Sequence, residues 1–160
     1  MRTGVAKPTF EVHYTEGAEV GYKWYEAEHK PVLFPFGFGL SYTTFSYSDL
    51  HVETGATPTV TFTVKNTGDR AGEEIAEVYA GLPASANEPP QRLVGWSKVQ
   101  LNAGESKQVH ITIPQLYLSI YDEQQQGWKL VPGTYTFMVG GSSANLPLVQ
   151  KVDLSAASTQ

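Results

Sequence analysis

From Thr59 onward, clusters of turn-forming residues recur about every ten positions, and the stretches between them alternate apolar and polar side chains. A period of two sends successive side chains to opposite faces of a strand, so the pattern reads as a series of short half-buried strands. Residues 59–64 are the clearest case, with Val60, Phe62 and Val64 on one face and three threonines on the other. Asn66, Thr67 and Gly68 supply turn chemistry, and residues 74–80 then offer Ala76, Val78 and Ala80 inward. Residues 93–101 are apolar at uneven spacing, with Gly95 beside Trp96, which predicts a bulge or a sheet edge. Beyond the turn at Asn102 to Gly104, Val109, Ile111 and Ile113 alternate cleanly, and residues 128–131, 134–139 and 146–152 complete the set. Strands of this length and spacing, with no convincing helix, predict an all-β fold: a two-sheet β-sandwich.

Before the strands the text changes character. In residues 33–45, Pro35 fixes one backbone angle while Gly37 and Gly39 permit conformations closed to other residues, so the stretch reads as a shaped connector. Phe34, Phe36, Phe38, Tyr42 and Phe45 make it too apolar for a solvated linker, and they are the candidate docking residues, packed at a seam between two structural units; a loop that plugs the end of a sandwich fits the composition equally well. Upstream, Phe10, Val12 and Tyr14 alternate with Glu11 and His13 as a short strand, and Val20, Tyr22 and Trp24 read as a second after the turn at Gly17. A lone hairpin is marginal in water, so residues 1–32 should borrow a partner, either the sandwich that follows or a neighbour outside this sequence. Glu26 to Lys30 fits one helical turn before Pro31. The expected layout is an irregular extension at 1–32, the connector at 33–45, the sandwich at 46–154 and a frayed tail at 155–160. Within the sandwich, residues 82–91, with Pro83, Pro89 and Pro90, read as a surface loop.

A chain of 160 residues suits one domain, burying roughly 70% of its unfolded surface. A net charge of -5 without a basic cluster argues against nucleic acid as a partner. The absence of cysteine excludes disulfides and thiolate metal sites. His13, His29, His51 and His110 follow no ligand spacing, so no metal or cofactor is expected. No run approaches a membrane span, and residues 1–8 lack the apolar core of a signal peptide. If the protein is exported, its signal is expected further upstream.

The stretch PFGFGLSYTTF, residues 35–45, resembles the signature that opens the C-terminal fibronectin type III-like domain of glycoside hydrolase family 3 enzymes, the β-glucosidase and β-xylosidase family. The likeness continues in KNTGDRAGEEIAEVYAG at 65–81, RLVGWSKVQLNAGE at 92–105 and LSIYDEQQQGWKLVPGTYTFMVGGSSANLPL at 118–148. Upstream, YTEGAEVGYKWYE at 14–26 is similar to the end of that family's preceding α/β domain, with Lys23 where an arginine is common. The resemblance implies an immunoglobulin/fibronectin type III-like sandwich carrying a remnant of the preceding domain. It also implies a non-catalytic accessory role, docking on the catalytic domains of a secreted or periplasmic parent. The family's aspartate nucleophile and general acid/base lie in the two preceding domains, so no catalytic residue is carried over.

Nor do the residues themselves supply the chemistry. Glycoside hydrolysis needs two carboxyl groups flanking one bond, whereas Glu73 and Glu74 are consecutive on a strand and Asp122 and Glu123 sit in a glutamine-rich turn. Both pairs read as solvated. GFGLS lacks the strand-to-helix setting of a nucleophile elbow. Trp24, Tyr25 and Trp96 are candidate carbohydrate contacts for a different role, a polysaccharide-binding module, although Trp96 and Trp128 also suit core or sheet-edge packing. Separated from its neighbours, the segment 10–38 is expected to leave an apolar patch that promotes self-association.

Overall fold

The computed structural model describes residues 11, 13, 15–55 and 57–155. Val60, Phe62 and Val64 are fully buried, as their alternation requires, on strand β2 (Thr59–Asn66). It lies between β1 (Phe45–Glu53) and β5 (Ser106–Thr112) in an antiparallel sheet of order β1-β2-β5. The facing sheet contains β3 (Gly72–Gly81), β4 (Arg92–Leu101), β8 (Gly133–Gly140) and β9 (Leu148–Leu154), in the order β4-β3-β8-β9. Between β5 and β8 the chain inserts a small hairpin of β6 (Ser119–Asp122) and β7 (Gly127–Leu130). The result is the expected two-sheet β-sandwich. Its core interleaves residues such as Phe62 and Ile111 from one sheet with Val78, Leu101 and Phe137 from the other.

Two departures from simple alternation have local causes. In β1 the register shifts between Ser48 and His51, where Asp49 adopts φ 58°. The shift lets Phe45 and Tyr47 and then Leu50 and Val52 all face inward, which hides the strand from a search for period two. In β4 the pairing with β3 slips beside Gly95, and the strand lies at the edge of its sheet, as its uneven spacing indicated. A Cβ on Gly95 would stand 2.6 Å from the Ile111 Cγ2, so the two sheets touch there too closely for a side chain.

Tyr135, fully buried near the start of β8, directs its hydroxyl at the carbonyl oxygens of Val131 (2.9 Å) and Leu118 (3.0 Å). This corner fastening is typical of immunoglobulin-type sandwiches.

The N-terminal expectations need correction. The proposed first strand rests on Phe10, Val12 and Tyr14, which lie outside the described residues, as does the tail beyond Ser155. The second is a helix, α1 (Tyr22–Ala27). Three alternating aromatic and apolar residues with no strand to pair with are outweighed by the helical spacing that puts Tyr22 and Glu26 on one face. The helix closes with the Lys30 N–H donating to the Tyr25 carbonyl and the His29 N–H to that of Glu26, His29 taking φ 50°. The loop at 82–91 is folded back rather than free: Pro83, Ala86, Pro89 and Gln91 are buried, around a 3₁₀ turn at Ala84–Ala86.

Candidate functional site

The outer face of β3 does not face solvent along its whole length. From Glu77 onward it is covered by α1 and the connector, and the contact begins with an aromatic stack. The Tyr22 ring lies 5.9 Å from Tyr79, edge to face, and 5.1 Å from Phe36. The Leu93 N–H donates to the Tyr22 hydroxyl at 2.7 Å, and the Ser143 N–H donates to the Phe36 carbonyl at 2.8 Å. These bonds fasten the segment to β4 and to the loop between β8 and β9. Further along, the Thr43 hydroxyl donates to Asn66 Oδ1 at 2.6 Å. Asn66, itself fully buried, donates to the carbonyls of Arg70 (2.7 Å) and Leu101 (3.3 Å). One amide thereby ties the connector, the β2–β3 turn and the end of β4 together.

Three carboxyl groups lie in or beside this seam. Glu77 is buried and accepts the Tyr79 hydroxyl at 2.7 Å. Glu74, pointing to the other face of β3, accepts the Tyr47 hydroxyl at 2.5 Å. The third, Glu26 on α1, has both carboxyl oxygens buried, and neither meets a hydrogen-bond donor of normal geometry among the described residues. Burial raises all three above the ordinary glutamate range. The tyrosine hydroxyls hold back part of the rise at Glu74 and Glu77, and the proximity of Gln91 and Ser143 holds back part at Glu26. Gln91 Nε2 is engaged at 2.9 Å by the Ser143 carbonyl. The reading of Glu73 and Glu74 as a solvated pair therefore holds for Glu73, which is exposed and pairs with Lys98, but not for Glu74. Asp122 accepts the N–H groups of Gln124 and Gln125 in an exposed turn.

The proposed docking residues divide into two groups. Phe45 heads β1 and packs on the core. Phe34, Phe36, Phe38 and Tyr42 lie in the connector with Leu33 and Leu40; Phe36 turns to Tyr22 and, like Phe38, is half exposed, whereas the others point largely outward. Phe34 is 71% exposed, Leu33 and Leu40 93% and Tyr42 92%. Phe34 and Phe38 rest against one another at 5.2 Å.

The proposed carbohydrate contacts are not brought together in one place. Trp24 is half-buried, with Lys30 Nζ 4.0 Å from its ring centroid and Tyr25 edge-on at 5.0 Å. Trp96 is 61% exposed on β4 and Trp128 62% exposed on β7, so neither joins the core; both stand on sheet edges. Trp96 borders an open cleft of about 450 Å³ shared with Tyr117. Among the described residues no group of three His, Asp or Glu side chains is placed to hold a metal ion, and no helix is long and apolar enough to cross a membrane.

Tyr22, Glu26, Glu77 and Tyr79 were not singled out from sequence. A signal was present for the last two: in EVYAG, the outward positions of β3 turn from Glu73 and Ile75 to Tyr79 and Gly81, a face that needs a cover.

Residues 74–143 match the family described as the fibronectin type III-like domain. Across 93% of its length the chain is 38% identical to a probable β-glucosidase K of Emericella nidulans, of which it covers 18%. It is 36% identical, across 91% of its length, to the thermostable β-glucosidase B of Acetivibrio thermocellus, of which it covers 20%. Among solved structures, the GH3 β-glucosidase of Bifidobacterium adolescentis superposes with a TM-score of 0.86 at 38% identity, over 91% of this chain and 22% of that one. A β-glucosidase of Streptomyces venezuelae solved with D-glucose gives 0.85 at 38% identity, over 89% of this chain and 19% of that one. The chain thus spans about a fifth of the length of the relatives it matches. It carries a fibronectin type III-like domain and matches the fibronectin-like region of GH3 β-glucosidases.

Proposed function

We propose that this chain is a non-catalytic accessory domain that docks on, and stabilises, the catalytic domains of a β-glucosidase-like glycoside hydrolase. The observation that carries the reading is the connector, bonded to the sandwich through its backbone while Leu33, Leu40 and Tyr42 stand more than nine-tenths exposed beside Phe34. A ridge of exposed apolar side chains along one connector marks an interaction surface. Burying Leu33, Leu40 and Tyr42 contributes roughly 5 kcal/mol before the cost of docking is counted. The catalytic domains are the partner that fits, because the relatives matched over this region are β-glucosidases of which it forms about a fifth. The test is deletion of the sandwich from the parent enzyme. Its melting temperature should fall while the chemistry per folded molecule changes little; an unaltered melting temperature overturns the proposal.

Exposure of Trp96 at the edge of a cleft favours a second reading, a module that holds polysaccharide by stacking. Retention on insoluble glucan separates the two. The accessory role predicts none above an albumin control, whereas a binding module predicts retention that disappears in Trp96→Ala.

A further inference from the structure

Beneath the connector lies an open cavity of about 690 Å³, large enough for several side chains. Its walls are mostly apolar, formed by Tyr22, Tyr25, Val32, Phe34 and Phe36. The polar groups around it are turned to the chain itself or stand at exposed positions. The Glu26 carboxyl lies beside Gln91 and Ser143, with both oxygens out of contact with solvent. The Leu93 N–H engages the Tyr22 hydroxyl, and the Ser143 N–H donates to the Phe36 carbonyl. Lys30 turns its ammonium to the Trp24 ring, 4.0 Å from the centroid. Tyr25 and His29 are exposed. What faces the cavity is therefore chiefly aromatic and aliphatic surface.

We propose that this cavity is a socket for neighbouring aromatic or branched aliphatic side chains, supplied by the part of the parent enzyme that the chain does not include. The inference rests on the docking role and names the place where that docking is anchored. Three observations choose this occupant. The carboxyl, ammonium and hydroxyl groups of Glu26, Lys30 and Tyr22 are already occupied within the chain, so a polar ligand would give up water there and gain little in return. Phe34 belongs both to the wall and, 71% exposed beside Leu33, to the ridge, so a body that covers the ridge also closes the cavity. The relatives matched over this region are β-glucosidases of which it forms about a fifth, so a large attached body is at hand in proteins of this kind. Large apolar side chains seated in a pocket carry most of the energy of an interface, while the contacts around them exclude water. The ridge takes that second part and the socket the first.

The test has two arms. In the first, the chain as it is, labelled at its backbone amides, is titrated by NMR with benzyl alcohol and with the polar six-membered ring myo-inositol, each to about 50 mM. Benzyl alcohol should shift the amides of residues 22–36 and of Ser143 saturably, and myo-inositol should not. Val32 lines the cavity and is 41% exposed, which leaves room for a larger side chain, so Val32→Trp should fill the space and weaken benzyl alcohol about fivefold or more. In the second arm, Val32→Trp should leave the melting temperature of the chain unmoved and lower that of the intact parent by several degrees, because the new ring takes the place of the parent's own side chains. Gln108→Trp, exposed on β5 in the other sheet, should move neither. The proposal is overturned if the probes bind equally, if benzyl alcohol does not bind, or if Val32→Trp leaves its binding unchanged. It is also overturned if Val32→Trp lowers the parent's transition no more than the chain's, or no more than Gln108→Trp does. Dimerisation of the chain that Val32→Trp abolishes would assign the cavity to a second copy and overturn it too. Such a failure leaves docking through the ridge intact, since deletion of the sandwich tests that without reference to the cavity.

Discussion

Gly37 and Gly39 sit two residues apart in the connector, yet replacing each with alanine should have different consequences. Gly37 adopts φ 83°, a conformation that costs an L-residue about 1 kcal/mol. Its added Cβ would also stand 2.7 Å from the Glu77 carboxyl carbon. Because Glu77 is buried and holds the Tyr79 hydroxyl, it cannot swing aside without losing that bond, a further loss of about 1.5–3 kcal/mol for a hydrogen bond to a charged group. A Cβ at Gly39 meets nothing within 4 Å. The penalty at Gly37, roughly 2.5–4 kcal/mol, falls on the docking of the connector rather than on the sandwich core, and each 1.4 kcal/mol raises the undocked fraction about tenfold. The Ser143 amide reports it directly, since its N–H is held by the Phe36 carbonyl. Hydrogen exchange at Ser143 should accelerate about 50-fold or more in Gly37→Ala and less than about threefold in Gly39→Ala. Equal effects of the two substitutions, or unchanged protection in Gly37→Ala, would refute the reasoning.

The carboxyls of the seam give a pH dependence of unusual sign. Glu26, Glu74 and Glu77 are raised above their ordinary value of 4.5, so the folded chain holds these protons more tightly than the unfolded one. Their charging penalty is absent below that value and grows as pH rises through the raised values, so mild acid should slow Ser143 exchange after correction for the intrinsic rate. Glu74→Gln with Glu77→Gln should flatten the profile, and an identical slope in that double variant would contradict the assignment. Asn66→Asp sets a carboxylate against the Arg70 and Leu101 carbonyls and should cost roughly 3 kcal/mol, read as a shift of the denaturant midpoint; an unmoved midpoint would count against it. Tyr135→Phe strips the donor from the Val131 and Leu118 carbonyls, so the melting temperature should fall by about 5–15 °C. A fall under about 2 °C would remove the hydroxyl from the account.

The sandwich was legible where one face of a strand is wet. Val60, Phe62 and Val64, and later Val109, Ile111 and Ile113, are buried on the side their alternation marked. It was not legible in β1, because the turn of phase at Asp49 breaks the period, nor in β6, which is four residues long. The N-terminal helix was misread because its burial comes from Tyr22 stacking on Tyr79, a residue more than fifty positions away that local spacing does not reveal. For Trp96 and Trp128 size allowed either the core or a sheet edge, and their places on edge strands, which local spacing does not reveal, decide for the edge. The seam's carboxyls were hidden for a related reason. Glu77 looks like any outward strand residue until the connector is laid across it, and Glu26 comes to lie beside Gln91 and Ser143 only through the fold.

The measurement closest to the central claim is the melting temperature of Leu33→Ser, Leu40→Ser, Tyr42→Ser, made in this chain and in the intact parent enzyme. In the chain alone these side chains are more than nine-tenths exposed, so their replacement should leave the transition unmoved. In the parent, where the account places them against the catalytic domains, the transition should fall by several degrees. The same response in both proteins would mean that the ridge docks on nothing in the parent, and the accessory reading would lose its support.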